Sequence, residues 1–157
     1  MRSFDLDHSI TVGTTPTLSE LRQLALKGYR TVVDLRMPNE IGALSIAEER
    51  EAALSARMEF LQISVPARTL PGEQLDVFRR ELAALPKPAY VHCTCGARAL
   101  LFGAVHLGLE VDEPEDAILT RIQGRDLIDD PTLYDRPIRD YVQRAREPYS
   151  RLEQVIW

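Results

Sequence analysis

Residues 91–98 combine the residue types in this chain that are best suited to covalent chemistry. They read Val-His-Cys-Thr-Cys-Gly-Ala-Arg, so that a thiol at Cys93 is followed by a guanidinium at Arg98. A thiolate can attack a phosphoryl or sulfur-bearing group and hold it covalently. An arginine can bind an oxyanion through two parallel N–H donors. The spacing therefore predicts a nucleophile beneath a short anion-binding segment, residues 93–98, which we call the anion loop.

The sequence on either side predicts that a strand, a tight turn and a helix hold the anion loop. An apolar approach at 89–91 precedes it, and a helix-like apolar run follows from residue 99. Loop amides and the positive end of a helix favour anions, so we expect the pKa of the Cys93 thiol to be lowered. The alternative is a buried cysteine packed as a small hydrophobic residue. The residues expected to bind the anion are Thr94, Cys95, Gly96, Ala97 and Arg98.

Strand-like and helix-like segments alternate along the rest of the chain. Strands are predicted at residues 10–12, 29–35, 59–65 and 89–92, and helices at capping boxes opened by Thr17 and Ser45 and at 71–85. Gly28 and Gly108 are predicted helix ends, and further helices follow near residues 112 and 131. The alternation predicts an α/β fold with a mostly parallel central sheet flanked by helices. Ligands bind such sheets at the carboxyl ends of strands, where Cys93 falls.

Composition limits the classes of protein and partner. The 157 residues, 45% hydrophobic and 27% charged, predict a single domain over 1–157 with a tail at about 147–157. A formal charge of −5 argues against a nucleic-acid surface. Two cysteines two positions apart do not make a disulfide framework, and no apolar stretch is long enough to cross a membrane. We expect a cytoplasmic protein with no cofactor or metal, acting on a small anionic or phosphorylated substrate and not on nucleic acid or membranes.

Several short motifs resemble those of one known family. These are Val12–Pro16, Gly28–Arg36, Ile63–Pro66, and Val91–Cys93 with Gly96 and Arg98. Together they resemble the bacterial phosphatase-like family of the tyrosine/dual-specificity phosphatase superfamily, the domain sometimes fused to beta-lactamase-like hydrolases. The resemblance runs from about residue 8 to 125. It implies a dual-specificity-phosphatase-like fold, with Cys93 as the nucleophile, Arg98 as the oxyanion binder, and His92 ordering the loop and tuning the thiolate.

The length of the anion loop departs from the phosphatase pattern. Phosphatases of this superfamily place five residues between the nucleophile and the arginine, whereas Cys93 and Arg98 have four between them. The pattern Cys-x-x-Gly-x-Arg is similar to that of rhodaneses, which carry a sulfane sulfur on the cysteine. However, Asp34-Leu-Arg36 is not followed by the Gly-His-Ile of a rhodanese. The strands resemble a phosphatase, while the loop length resembles a sulfurtransferase.

The general acid has no counterpart in the sequence. Phosphoryl transfer from an ester benefits from an acid that protonates the leaving oxygen. The family usually keeps an Asp after the strand that here ends near Val65, but residues 66–72 contain no carboxylate. The acid is therefore unassigned, and three functions remain open. These are a cysteine-dependent phosphatase with a phosphocysteine intermediate, a rhodanese-like sulfurtransferase using a Cys93 persulfide, and a non-catalytic anion-binding module.

Three further residues have two interpretations each. Cys95 could trap an oxidised Cys93 or accept sulfur from it, or it could simply fill the loop. His92 could instead be a buried structural histidine. Arg36 could reach the anion as a weaker member of the site, although an ion pair with Glu40 is favoured.

Overall fold

The computed structural model describes residues 1–147. The chain forms two compact units, Met1–Gly103 and a second that begins at Ala104. The predicted tail lies, apart from its first residue, outside the described residues, and the prediction of a single domain stays a prediction.

A five-stranded sheet forms the centre of the first unit, in the spatial order β1-β2-β5-β3-β4. β1 pairs antiparallel with β2, and the other pairs are parallel. This confirms the predicted, mostly parallel sheet. β1 is an edge strand that the sequence analysis missed, because three residues are too few to show an alternating pattern. The strands are β1 (Ser3–Asp5), β2 (Ile10–Thr14), β3 (Thr31–Asp34), β4 (Glu59–Gln62) and β5 (Ala89–Cys93).

Helices connect the parallel strands, as expected for crossover connections. Both predicted capping boxes are present, at Thr17 and at Ser45. One core cluster joins the helices that follow β2 and β3 to Val32 and Tyr90 of the sheet. Phe78 and Phe102 pack edge to face with ring centroids 5.4 Å apart. The helices are α1 (Leu18–Leu26), α2 (Ile46–Ser55), α3 (Gly72–Ala84) and α4 (Ala97–Glu110).

The second unit is helical over its described residues, 104–147. It contains the end of α4, then α5 (Glu115–Gln123), a short 3-10 helix at Pro131–Tyr134 and α6 (Asp135–Ala145). The prediction that Gly108 ends a helix is wrong, since α4 continues through it to Glu110. A Cβ at Gly108 would lie 2.4 Å from the side chain of Ile118. The glycine therefore permits close packing of two helices and does not terminate one.

Register in the sheet brings the ends of three strands together. Thr14 lies opposite Cys93, and Asp34 lies opposite His92. The residues of β3 and β5 are all buried, so these two strands form a rigid base for whatever follows them. The carboxyl edge of the sheet thus positions the anion loop, as predicted. Across residues 1–147, no helix combines the length and the apolar character needed to span a membrane.

Candidate active site

Cys93 is the last residue of β5, and the turn after it directs the chain into α4. Gly96 has a φ of 89°, a left-handed conformation that glycine adopts at little cost. This turn allows the Gly96 N–H to donate to the Cys93 Sγ at 3.1 Å. The Thr15 hydroxyl donates to the carbonyl oxygen of Cys93 at 3.3 Å. The predicted strand, turn and helix are therefore present around a fully buried thiol.

The two cysteines of the loop differ in exposure and in charge. Cys93 is buried and Cys95 is exposed, and the Cys93 thiol donates a hydrogen bond to the Cys95 sulfur. This hydrogen bond, aided by the Ala97 N–H and the charge of Arg98, lowers the pKa of Cys95 to about 5. The same hydrogen bond, together with burial, raises the pKa of Cys93 well above its usual range.

The expectation of a low pKa at Cys93 is therefore wrong for this arrangement. The N–H of Ala99 and the positive charge of Arg98 do favour a thiolate at Cys93, as the sequence analysis assumed. Their effect is outweighed because a neighbouring sulfur, better exposed to water, ionises first. The first negative charge of the pair resides on Cys95.

Arg98 is held by a glutamate that the sequence analysis had paired with Arg36. Its Nη1 donates to Glu40 Oε2 at 2.7 Å and its Nη2 donates to Glu40 Oε1 at 2.6 Å. The Nη1 group also donates to the carbonyl oxygen of Val65 at 2.8 Å. These bonds employ three of the five guanidinium N–H groups. The remaining two N–H groups, on Nε and Nη2, lie along one edge of the guanidinium, in a side chain that is 3% exposed.

Glu40 also connects the segment after β3 to the anion loop. Its carboxylate accepts from the Thr94 hydroxyl at 2.6 Å and from the Met37 N–H at 2.6 Å. The hydrogen bonds from Arg98 above all lower the pKa of Glu40 to about 2, and the positive charge of Arg98 is stabilised in return. At neutral pH Glu40 is thus a carboxylate and holds no proton to give to a leaving group.

A second network of charged side chains lies at the ends of β3 and β5. The Arg36 guanidinium donates to both carboxylate oxygens of Asp34 and, at 3.2 Å, to Glu49 Oε2. The other oxygen of Glu49 lies 2.5 Å from His92 Nε2. All four side chains are fully buried. Buried charges are tolerated when paired in this way, so this network joins β3, β5 and α2 directly behind Cys93.

The network holds two of the predicted site residues, Arg36 and His92. Arg36 does form an ion pair, but with Asp34 and Glu49, while Glu40 pairs with Arg98. The Nη1 group of Arg36 donates to the Leu44 carbonyl oxygen, and the complete burial of Arg36 leaves no surface for an anion. Donor atoms of Asp34, Glu49 and His92 lie within 4.8 Å of one another, a spacing that could hold a metal ion. Here the guanidinium of Arg36 already supplies the positive charge that both carboxylates need.

The structure brings most of the predicted site residues together. The predicted loop residues Thr94, Cys95, Gly96 and Ala97 follow Cys93 directly, and Arg98 lies in the first turn of α4. Sequence reasoning missed the roles of Glu40 and Glu49. Glu40 lies 58 residues from Arg98, and Glu49 lies 43 residues from His92. The sequence gives one signal for Glu49: it lies four residues before Ala53 and so shares a helix face with this apolar residue, and the structure buries both.

Comparison with known proteins identifies the family. Residues 2–99 match the family described as "DSP-PTPase phosphatase fused to NAD+ Kinase". The chain belongs to this family. It is also similar to the beta-lactamase hydrolase-like protein of Xylella fastidiosa strain 9a5c, with 28% identity over 109 residues. That match covers 67% of this chain and 25% of the relative, so the chain spans about a quarter of its length.

Solved structures of phosphatases share the fold. Tk-PTP in its active form superimposes with a TM-score of 0.73 at 19% identity, covering 90% of this chain and 96% of that one. A variant of P. aeruginosa TpbA in complex with pTyr gives a TM-score of 0.69 at 17% identity, covering 92% and 90%. The dual-specificity-phosphatase-like fold predicted from the motifs is therefore confirmed.

Proposed function

We propose that this protein is a cysteine-dependent phosphatase that hydrolyses phosphomonoesters through a phosphocysteine intermediate. The main support is the order of Cys93, Gly96 and Arg98 at the carboxyl end of a central strand, in a chain that belongs to a phosphatase family. Loop amides and the two remaining N–H groups of Arg98 are suited to a phosphoryl group whose charge is shared among its oxygens. The pTyr bound by TpbA, a structural neighbour, belongs to the same chemical class of substrate.

In the proposed first step, the Cys93 sulfur attacks phosphorus while the bond to the leaving oxygen breaks. Cys93 must lose its proton for this attack, because its pKa is raised in the free protein. The Cys95 thiolate already accepts a hydrogen bond from Cys93 and is the nearest acceptor for that proton. Arg98 stabilises the charge on the phosphoryl oxygens throughout the transfer. Water then attacks the phosphocysteine, which releases inorganic phosphate and restores Cys93.

The leaving group departs without an assigned acid in this scheme. Residues 63–71, which follow β4, contain no Asp or Glu, and the pKa of Glu40 is too low for it to donate a proton. We therefore propose that good substrates are activated aryl phosphates, whose leaving groups need little protonation.

A rhodanese-like sulfurtransferase is the second candidate, favoured by the length of the loop. Four residues separate Cys93 from Arg98, which encloses a smaller anion site than five would. When a sulfane sulfur is loaded onto Cys93, no alkoxide or phenoxide leaves, so no general acid is needed to protonate one. The missing carboxylate would therefore not impair this reaction. The persulfide would then pass its outer sulfur to a thiophilic acceptor such as cyanide.

Paired assays distinguish the two activities. The full chain would be tested with nitrophenyl phosphate and, separately, with thiosulfate and cyanide. Cys93→Ser and Arg98→Lys serve as matched variants, because lysine keeps the charge of Arg98 but not its planar fork. We expect phosphate release that is lost in Cys93→Ser and reduced at least tenfold in Arg98→Lys. Cys93-dependent thiocyanate formation without phosphate release would assign the protein to sulfur transfer, and anion binding without either activity to the non-catalytic module.

A further inference from the structure

A groove lies between α1 and α2 on the surface of the first unit, and its volume is about 850 Å³. Beneath it, Leu21 and Leu24 of α1 and Ala53 of α2 belong to one buried core cluster, so the two helices lie side by side. None of the residues that line the groove belongs to the anion loop. The groove is therefore a feature of the surface that the proposed activity does not explain.

Large apolar side chains are exposed on both helices. Leu26, at the end of α1, is 88% exposed, Leu18, at its start, is 38% exposed, and Leu54 on α2 is 55% exposed. Between the helices the groove is lined by small residues that are half-buried, among them Ala25 and Ala52. Single exposed leucines are ordinary on a protein surface, whereas leucines grouped around an apolar groove mark a contact with another molecule.

The two sides of the groove carry charges of opposite sign. Arg22 lines it from the middle of α1, and Glu48 and Glu51 line it from α2. Glu48 is held in the capping box with Ser45. Arg22 and Glu51 are exposed, and across residues 1–147 neither forms an ion pair or a side-chain hydrogen bond. The groove thus presents an unpaired cation on one side and an unpaired carboxylate on the other.

We propose that this groove is the interface of a symmetric homodimer, in which each copy of the chain covers the groove of the other. A two-fold axis that runs along the groove, in the plane of contact, places α1 of one copy against α2 of the other. Arg22 lies at the middle of α1 and Glu51 near the middle of α2. The axis therefore brings each Arg22 opposite Glu51 of the partner subunit, and Leu26 covers small residues of the partner's groove.

The pattern of charge favours a second copy over a different protein. A groove with one sign of charge would favour a partner of the opposite sign, whereas here each side supplies the charge that the other side lacks. A symmetric interface uses the same patch twice, so the pair of Arg22 with Glu51 occurs twice. Exposed pairs of this kind contribute little free energy, but like charges placed opposite one another oppose association. The apolar contacts would therefore supply most of the free energy of association, and the charges would select the orientation.

Sedimentation velocity of the full chain, over roughly 2–200 µM, measures the association. We expect a concentration-dependent equilibrium between monomer and dimer for the wild type. Leu26→Glu should raise the Kd for dimerisation at least tenfold, because it places a charge within an apolar contact. Leu133→Glu is the matched control, since Leu133 is 70% exposed but lies in the 3-10 helix of the second unit. This control should dimerise like the wild type.

Complementary charge reversals test the orientation of the two copies. Arg22→Glu places carboxylates opposite one another at both pairs, and Glu51→Arg places guanidinium groups opposite one another, so each variant alone should dimerise at least tenfold more weakly. In an equal mixture of the two variants, both pairs of the heterodimer again join opposite charges. The mixture should therefore recover a Kd within about threefold of the wild type. Circular dichroism and cooperative thermal unfolding establish that each variant is folded, and a variant that merely unfolds cannot regain association on mixing.

Three results would overturn the proposal. A wild-type protein that stays monomeric at the highest concentration would leave the groove to a different protein. A wild-type dimer that neither Leu26→Glu nor the charge reversals weaken would show that the copies meet at another face. Weakening by both charge reversals without recovery in the mixture would contradict the two-fold arrangement.

Discussion

At the scale of single residues, the hydrogen-bond partner of each ionisable side chain determines its charge state and its position in the site. Cys95 carries the first negative charge of the thiol pair because Cys93 donates to it. Glu40 stays ionised because its carboxylate accepts hydrogen bonds from both Nη1 and Nη2 of Arg98. Arg98 is thereby fixed in place by Glu40 and by the Val65 carbonyl oxygen. The hydrogen bonds of the loop therefore determine which of the two cysteines is ionised and which glutamate pairs with Arg98.

Limited alkylation should label Cys95 before Cys93. With iodoacetamide at or below the amount of protein, between about pH 5 and 7, we expect modification at Cys95, since an unperturbed thiol is largely protonated there. Peptide mapping would identify the alkylated residue. The Cys93→Ser variant should give the same labelling profile at Cys95. Labelling that begins at Cys93, or only above about pH 8, would contradict the charge assignment.

Replacement of Glu40 should impair the function of Arg98. In Glu40→Gln, a neutral amide with one acceptor oxygen cannot accept from both Nη1 and Nη2, so the guanidinium loses a charge-assisted bond. Such bonds contribute about 1.5–3 kcal/mol, so kcat/KM for nitrophenyl phosphate should fall about 10- to 100-fold. Glu51→Gln, an exposed change in α2, is the control and should keep wild-type activity. Equal activity in both variants would remove Glu40 from the site.

The Glu40–Arg98 pair should also make stability depend on pH in the acid range. The pKa of Glu40 is lowered in the folded protein from 4.5 to about 2. A lowered pKa stabilises the fold above the unfolded pKa, and this contribution is lost as the pH falls through the folded pKa. The difference in unfolding free energy between wild type and Glu40→Gln should therefore shrink from about pH 5 to pH 2. Urea unfolding at several pH values would measure it, and a difference that is constant over this range would contradict the pairing.

At the scale of elements, α2 contributes more to the site than its position in the sequence suggests. Its capping box at Ser45 determines where the helix begins, and this places Glu49 beside Arg36 and His92. The helix therefore ties the ends of β3 and β5 together next to Cys93, the residue that follows His92. The segment that leads into α2 carries Glu40, so both glutamates come from the single connection between β3 and β4.

Removal of one charge from the buried network should destabilise the fold strongly. Glu49→Gln leaves the His92 ring and the Arg36 guanidinium without their shared carboxylate. Breaking a buried pair in this way costs about 3–5 kcal/mol. Chemical denaturation would measure the loss, and Glu51→Gln on the same helix should change stability by less than about 0.5 kcal/mol. A Glu49→Gln protein as stable as wild type would show that the network is not needed to hold the strands together.

At the scale of the molecule, the carboxyl edge of the sheet carries the proposed nucleophile and the proposed anion site, and no acid is assigned to it. The family and the shared fold support phosphatase chemistry, while the missing carboxylate limits the kind of ester that would react well. General acid catalysis typically contributes about 10²–10⁴-fold. The identity of the leaving group should therefore dominate the rate.

Simple alkyl phosphates should react about 10²–10⁴-fold more slowly than nitrophenyl phosphate, because their leaving oxygens need a proton. Steady-state assays of phosphate release over a series of esters would measure this dependence. The Cys93→Ser variant, which should lose activity toward the whole series, controls for contaminating phosphatases. Similar rates for alkyl and nitrophenyl esters would mean that the molecule supplies an acid from residues not assigned to the site.

The sequence alone was sufficient to predict those elements whose structure depends on residues close together in the chain. The capping boxes at Thr17 and Ser45, the apolar strands and the strand–turn–helix around Cys93 all depend on residues within a few positions of one another. The helix end assigned to Gly108 failed because a glycine that packs against a second helix has the same local appearance as one that terminates a helix.

Tertiary structure alone decided the charge state and the partners of the site. Arg36 was paired with the glutamate nearest in sequence, yet the fold gave Glu40 to Arg98, 58 residues away, and Glu49 to His92, 43 residues away. Several acids lie within reach of each base along the chain, and only the folded backbone determines which pair is buried together. The pKa order of Cys93 and Cys95 follows from the same cause, because burial and one hydrogen bond outweigh the loop amides and the helix end that the sequence predicts correctly.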